Sequence, residues 1–244
     1  QALREMSNRM EELPGADAFP VDLPAIISNF YARAGIVLLN NGQTGSVTFI
    51  GTVSPAGGNL KEPVTESTKK AARCFYALAQ NRADRKRYPA VDPIESYSKY
   101  LEYPEMVEYF NQKVHPGWVN MVWEAKNIVL RGKEAYEQIN ILGDDGVPLE
   151  YHLRYWKSEL VDFVILQQDA FDPIDASTSM ERQEYMLEKI LNVCRQEVHF
   201  DRFEDCSNYY KKLINLFRQM NYATFKDPHF KKYESEIDKL IKQG

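Results

Sequence analysis

At 244 residues the chain is long enough for one large or two small domains with sizeable cores. Its 44% hydrophobic and 27% charged residues are the ordinary mix of a soluble globular protein, and a net charge of −5 argues against a broad nucleic-acid-binding surface. No apolar run approaches the roughly 20 residues of a membrane span, and the start carries no signal-peptide pattern. The three scattered cysteines, Cys74, Cys194 and Cys206, give neither a disulfide framework nor metal-ligand spacing, and read as reduced thiols in a cytosolic setting.

In chain order, Leu3, Met6, Met10 and Leu13 recur at helical spacing, with Pro14 and Gly15 as the stop. Nothing caps this helix at its start, which suggests a piece cut from a longer protein. Leu23, Ile26, Ile27, Phe30 and Tyr31 mark a second helix, with Pro24 in its first turn and Gly35 as its end. Ile36 to Leu39 and the alternating Ser46 to Ser54 read as strands. Asn40-Asn41-Gly42 would join them as a hairpin, although pairing with other strands of a sheet is equally open. The loop from Ser54 to Pro63 is dense in proline and glycine. It lacks the Gly-x-x-x-x-Gly-Lys-Ser/Thr arrangement that cradles phosphate, and that arrangement occurs nowhere in the chain. A short helix begins at Thr65, with Thr65 and Thr68 as candidate caps. Cys74 to Leu78 reads as a buried strand. Gln80 to Arg87 is helix-compatible, with Arg82, Arg85, Lys86 and Arg87 as a solvated face.

The stretch from Tyr88 to Ser98 is different. Pro89 and Pro93 fix their own φ and push Tyr88 and Asp92 towards extended geometry, so no ordinary helix runs through it. It reads as an extended joint between two domains, 1–98 and 99–244. Beyond it helices dominate: Glu105 to Val114, Trp118 to Leu142, Leu149 to Gln168, Ser179 to Val198, Asp205 to Met220 and Pro228 to Lys242. Short connections between them, among them the acidic turn Gly143 to Pro148, imply a bundle. Gly132 is a mild weakness inside the longest helix. The expected class is α+β, mostly helical.

The residues alone show no catalytic centre. His115, His152, His199 and His229 fall in separate segments, none near another histidine or a cysteine, so no metal site is assigned. Two aromatics stand out by position: Tyr88 on the stiff joint and Phe171 at the end of a helix. A purine rests well against an aromatic face, and Gln167 and Gln168 offer amides for a base edge. By composition alone either ring reads more readily as core than as a clamp.

Several segments, in order, resemble the catalytic A subunit of V-type and archaeal-type rotary ATPases. Leu3-Arg4-Glu5-Met6-Ser7-Asn8-Arg9-Met10-Glu11-Glu12-Leu13-Pro14-Gly15 is similar to the stretch after that family's Walker B strand. Phe30 to Gly35, Gly45 to Gly58, Glu62 to Thr65 and Gln167 to Asp172 fit too, and the match weakens after about Ser177. The resemblance implies the C-terminal part of a P-loop nucleotide-binding α/β domain followed by a C-terminal helical bundle domain, with the phosphate-binding loop and the catalytic residues upstream. It implies ATP or ADP with Mg2+ as ligand of the full-length subunit and none tightly held by this piece, which should be inactive alone. It places Tyr88 and Phe171 against adenine, with Gln167 and Gln168 near the base or ribose. Tyr88-Pro89-Ala90-Val91 departs from the Phe-Pro-Ala-Ile common in that family towards the F-type β subunit, a swap that keeps the stacking face. The implied partners are the B subunits of an alternating hexameric ring, the central shaft near Gly143 to Pro148, and the peripheral stalk, with no nucleic acid. The parent would couple ATP hydrolysis or synthesis to H+ or Na+ transport from the cytoplasmic face of a membrane, touching the membrane only through the ion-translocating sector. The rival readings are a non-enzymatic helical interaction module and an unrelated nucleotide-dependent enzyme.

Overall fold

The structure, a computed structural model, describes residues 2–10, 13, 15, 17 and 19–242. Pro14, the expected stop of the first helix, lies outside the described residues. The protein is mostly helical with small sheets, as its periodicities predict. It divides into two compact units, Gln1–Phe75 and Tyr76–Gly244.

In the first unit, α1 (Ala2–Arg9) is shorter than the expected helix to Leu13, and α2 (Leu23–Tyr31), with Pro24 in its first turn, ends before Gly35, which opens a strand instead. Strands β1 (Gly35–Leu38) and β2 (Thr44–Val47) pair antiparallel, Gly35 opposite Val47 and Leu38 opposite Thr44. The hairpin reading holds. Gly42 turns it with φ of 80°, and Asn41 Oδ1 accepts the Gln43 amide at 3.0 Å. Strand β2 is much shorter than the alternation suggests. The chain leaves it to pack Phe49 edge-on against Phe30 and Tyr31, at centroid distances of 4.9 and 4.7 Å. Gly51 then passes so close that a Cβ there would lie 1.9 Å from the Tyr31 hydroxyl. Helix α3 (Pro63–Ala71) is capped one turn earlier than expected. The Glu62 carboxylate accepts the Thr65 amide at 3.0 Å and its hydroxyl at 3.1 Å, and Thr65 itself is fully buried. A two-residue β3 (Cys74–Phe75) ends this unit. The expected strand to Leu78 stops there, because Tyr76 and Leu78 are 69% and 76% exposed and supply no buried face.

In the second unit, α4 (Gln80–Asp84) is followed by the proline-bounded joint, which folds back antiparallel on residues 77–79. The Ala79 amide donates to Ala90 O at 2.9 Å and the Asp92 amide to Ala77 O at 2.7 Å. A two-residue β4 (Tyr97–Ser98) leads to α5 (Pro104–Lys113), α6 (Trp118–Leu142), α7 (Leu149–Val161), α8 (Met180–Arg195), α9 (Phe203–Asn221) and α10 (Pro228–Ile241). Ser179 and Asp227 cap α8 and α10 through their side chains. Leu160, Ile190, Tyr210, Leu213, Phe217, Phe230 and Ile237 form one core, each essentially without solvent contact. The α7 periodicity was expected to run to Gln168. Instead residues Asp162–Leu166 form a π turn, closed by the Gln167 amide donating to Asp162 O at 2.9 Å.

Gly132 is not a weakness but a requirement. A Cβ there would meet the Ser158 Cβ at 2.0 Å and the Arg154 carbonyl at 3.2 Å. Gly132→Ala, favourable by helix propensity, is therefore expected to destabilise by about 1–3 kcal/mol through overpacking of α6 on α7. Urea unfolding of the variant reads it directly; a gain in stability would show that the two helices separate without cost.

Candidate functional site

Tyr88, Gln167, Gln168 and Phe171 line one cavity of about 650 Å³ in the second unit. Pro89 and Phe163 continue its wall, and Arg218, Asn221 and Tyr222 at the end of α9 complete it. Such a volume suits a small organic ligand.

Each wall is held by identifiable bonds. The Tyr88 carbonyl accepts the Gln168 amide at 2.9 Å, so the joint and the chain after the π turn are stitched together. The Tyr88–Pro89 bond is cis. The ring of Tyr88 is half exposed, and its hydroxyl donates to the Ala83 carbonyl at 3.4 Å. The loop carrying Phe171 is built from carboxylate turns: Asp169 Oδ1 accepts the Phe171 amide at 2.9 Å, and Asp172 Oδ1 accepts those of Ile174 and Asp175. Asp175 Oδ2 in turn accepts the Asp169 amide at 2.7 Å. Burial pushes the Asp175 carboxyl above its usual range, against that hydrogen bond. Phe171 itself is 98% exposed, a large apolar ring facing solvent. Gln167 Oε1 is buried without a hydrogen-bond partner. On the far wall, Asn221 Nδ2 donates to Val164 O at 2.9 Å, tying α9 to the π turn.

The backing of Tyr88 overturns one expectation. Arg82 and Arg87 do not form a solvated face. Arg82 makes a two-pronged pair with Asp162, at 2.8 and 3.2 Å. Arg87 bridges Asp162 at 2.5 Å and Glu159 at 2.7 Å, with its guanidinium 3.8 Å from the centroid of Phe163. All four side chains are largely buried. Burial opposes the Arg87 charge, but the two carboxylates raise its pKa above the ordinary value. Arg85 does stay on the surface, donating to the Tyr136 hydroxyl at 2.8 Å. Between 72 and 80 residues separate the partners, so no local pattern announces this network. Arg218, Asn221 and Tyr222 were also missed, since helical spacing alone does not say which residues of α9 face a cavity.

The lining suits a base and not a polyphosphate. It offers four aromatic rings and three side-chain amides, but only Arg218 as a cation, while Asp169 and Asp175 would repel anionic oxygens. No step through phosphates or magnesium is derived from these residues.

Residues 1–98 match the ATP synthase alpha/beta family, nucleotide-binding domain. Over 243 residues the chain is 40% identical to the V-type ATP synthase alpha chain of Borrelia garinii subsp. bavariensis, a match covering 99% of this chain and 40% of that one. It is 39% identical over 245 residues to the V-type ATP synthase alpha chain of Protochlamydia amoebophila, covering 100% and 40%. The chain thus spans about 40% of the length of these curated relatives. A solved structure, that of a unique ATP synthase subunit NeqB from Nanoarcheaum equitans, overlays 80% of this chain and 45% of its own with a TM-score of 0.59 at 23% identity, a likeness of fold alone. The expected identification as a catalytic A subunit is corrected by these matches: the relatives are named alpha chains, and nothing in those names assigns catalysis. Along its length the chain is thus similar to about 40% of the length of V-type ATP synthase alpha chains, and its first 98 residues match the nucleotide-binding domain of the ATP synthase alpha/beta family.

Proposed function

We propose that the cavity receives the adenine of ATP or ADP, within a subunit of a rotary machine that couples nucleotide turnover to H+ or Na+ movement. One observation carries this reading: Tyr88, Gln167, Gln168 and Phe171, some eighty residues apart at the extremes, converge on one cavity of about 650 Å³, roomy enough for a purine nucleoside. Tyr88 offers a ring on backbone tied to Gln168 and a hydroxyl held by the Ala83 carbonyl, and Phe171 offers an exposed one. The unpartnered Gln167 Oε1 would accept a hydrogen from the exocyclic amine of the base. Phosphates and Mg2+ are held by residues outside this set, so these 244 residues alone turn over no nucleotide. The end of the family match at Ser98 supports a division into a nucleotide-binding part, 1–98, and a helical part, 99–244. In the helical part, the tip between α6 and α7 exposes Ile141 and Leu142 beside the acidic turn, which supports a contact with a central shaft. The remaining partners would be the neighbouring ring subunits and the stalk, at the cytoplasmic face of a membrane. No helix among the described residues is long and apolar enough to cross one.

The test is Tyr88→Ala in the complete subunit. Loss of stacking should weaken ATP binding by about 1–3 kcal/mol in a fluorescence titration. Unchanged affinity in a folded variant removes Tyr88 from the site.

A further inference from the structure

Elsewhere in the second unit, three metal-ligating groups converge. One ring nitrogen of His115 and one carboxylate oxygen each of Glu184 and Glu188 all lie within 4.8 Å of one another. None of these side chains makes a hydrogen bond or ion pair among the described residues, and His115 Nδ1 is buried with no partner. A buried ring nitrogen left unpaired is costly, so the arrangement calls for a ligand.

The scaffold is rigid on both sides. His115 precedes Pro116, which restricts its backbone. Its amide donates to Phe110 O at 3.2 Å and its carbonyl accepts the Trp118 amide at 2.9 Å. The turn is completed by Gly117, with φ of 89° and its amide donating to Asn111 Oδ1 at 3.0 Å. Glu184 and Glu188 stand one turn apart on the same face of α8. That face is anchored by Leu187 and Leu191, which pack on Met121 and Trp118 of α6. Two carboxylates at this spacing repel each other unless a cation lies between them. The nearby Arg195 is already engaged by Glu124, at 2.5 and 2.9 Å.

We propose that His115, Glu184 and Glu188 bind a divalent transition-metal ion, zinc above all. Imidazole nitrogen and carboxylate oxygen are zinc ligands at about 2.0–2.2 Å, and three protein ligands with water in the fourth position complete a tetrahedron. A neutral imidazole and two carboxylates balance the charge of the ion. Ligands so bound lie roughly 3.4 Å apart, so the exposed Glu188 closes in by up to roughly 1.4 Å. The ion would clamp the α5–α6 turn to α8.

Titration of the 244-residue chain with Zn2+ by calorimetry, and with Co2+ by visible absorption, tests this. The expected result is one saturable site, tetrahedral Co2+ bands without thiolate charge transfer, and a higher Tm with metal. His115→Ala should abolish saturable binding. Glu188→Gln, at an exposed position that folding does not depend on, should weaken it by about tenfold or more, since groups that merely orient a ligand are each worth roughly 10- to 100-fold. Absence of a saturable site, binding untouched by Glu188→Gln, or a thiolate band pointing to the cysteines would each overturn the assignment.

Discussion

Asp162→Ala is expected to cost about 3–5 kcal/mol, measured as a fall in the denaturation midpoint of the second unit. Asp162 accepts from both Arg82 and Arg87, and all three groups are largely buried. Removing it strands two guanidinium groups, one of them with Glu159 as its only remaining carboxylate. The figure is the penalty of uncompensated buried charge and not the worth of the pairs themselves. An exposed pair offers the contrast: the surface bridge between Lys226 and Glu181 should contribute no more than about 1 kcal/mol. If Asp162→Ala costs as little, the arginines swing into solvent and the backing of Tyr88 is looser than its geometry implies.

The second large effect concerns two phenylalanines of opposite standing. Phe217 is fully buried in the helical core, and Phe217→Ala should cost about 3–5 kcal/mol by lost transfer energy and the cavity left behind. Phe171 is 98% exposed, and Phe171→Ala should leave stability within about 0.5 kcal/mol. Under the adenine proposal Phe171→Ala should nevertheless weaken ATP binding in the complete subunit. A variant with unchanged stability and unchanged affinity would leave that ring without a role. Chemical denaturation and nucleotide titration of the same two variants separate the outcomes.

How much of this was legible follows from the range of the forces involved. Helical period is local, so α6 is found from Trp118 to Leu142 as read, and α10 within a residue of its expected end. The π turn was invisible, because Phe163 and Val164 keep the apolar spacing through it while the hydrogen bonds widen. The alternation from Ser46 to Ser54 overstated β2, since Phe49 pairs with rings of α2 and not with a strand. Tyr88 was singled out by its prolines, but its junction with Gln167, Gln168 and Phe171 came from family likeness. Nothing in the intervening eighty residues encodes that meeting. The Arg82, Arg87, Asp162 and Glu159 network had no local sign at all, for charges on polar helices are ordinarily solvated. Gly132 was misjudged for the same reason: propensity is a property of one helix, and the close approach belongs to two.

The wide turn at Asp162–Leu166 also fixes an angular phase. Were those same five residues wound as ordinary α-helix, everything after them would be turned by roughly a quarter turn about the axis. Gln167 and Gln168 would then swing away from Tyr88, with every core contact of α7 intact. The extra residue sets where the amides point, and evolution is free to move the rest of the helix only so long as that offset is preserved.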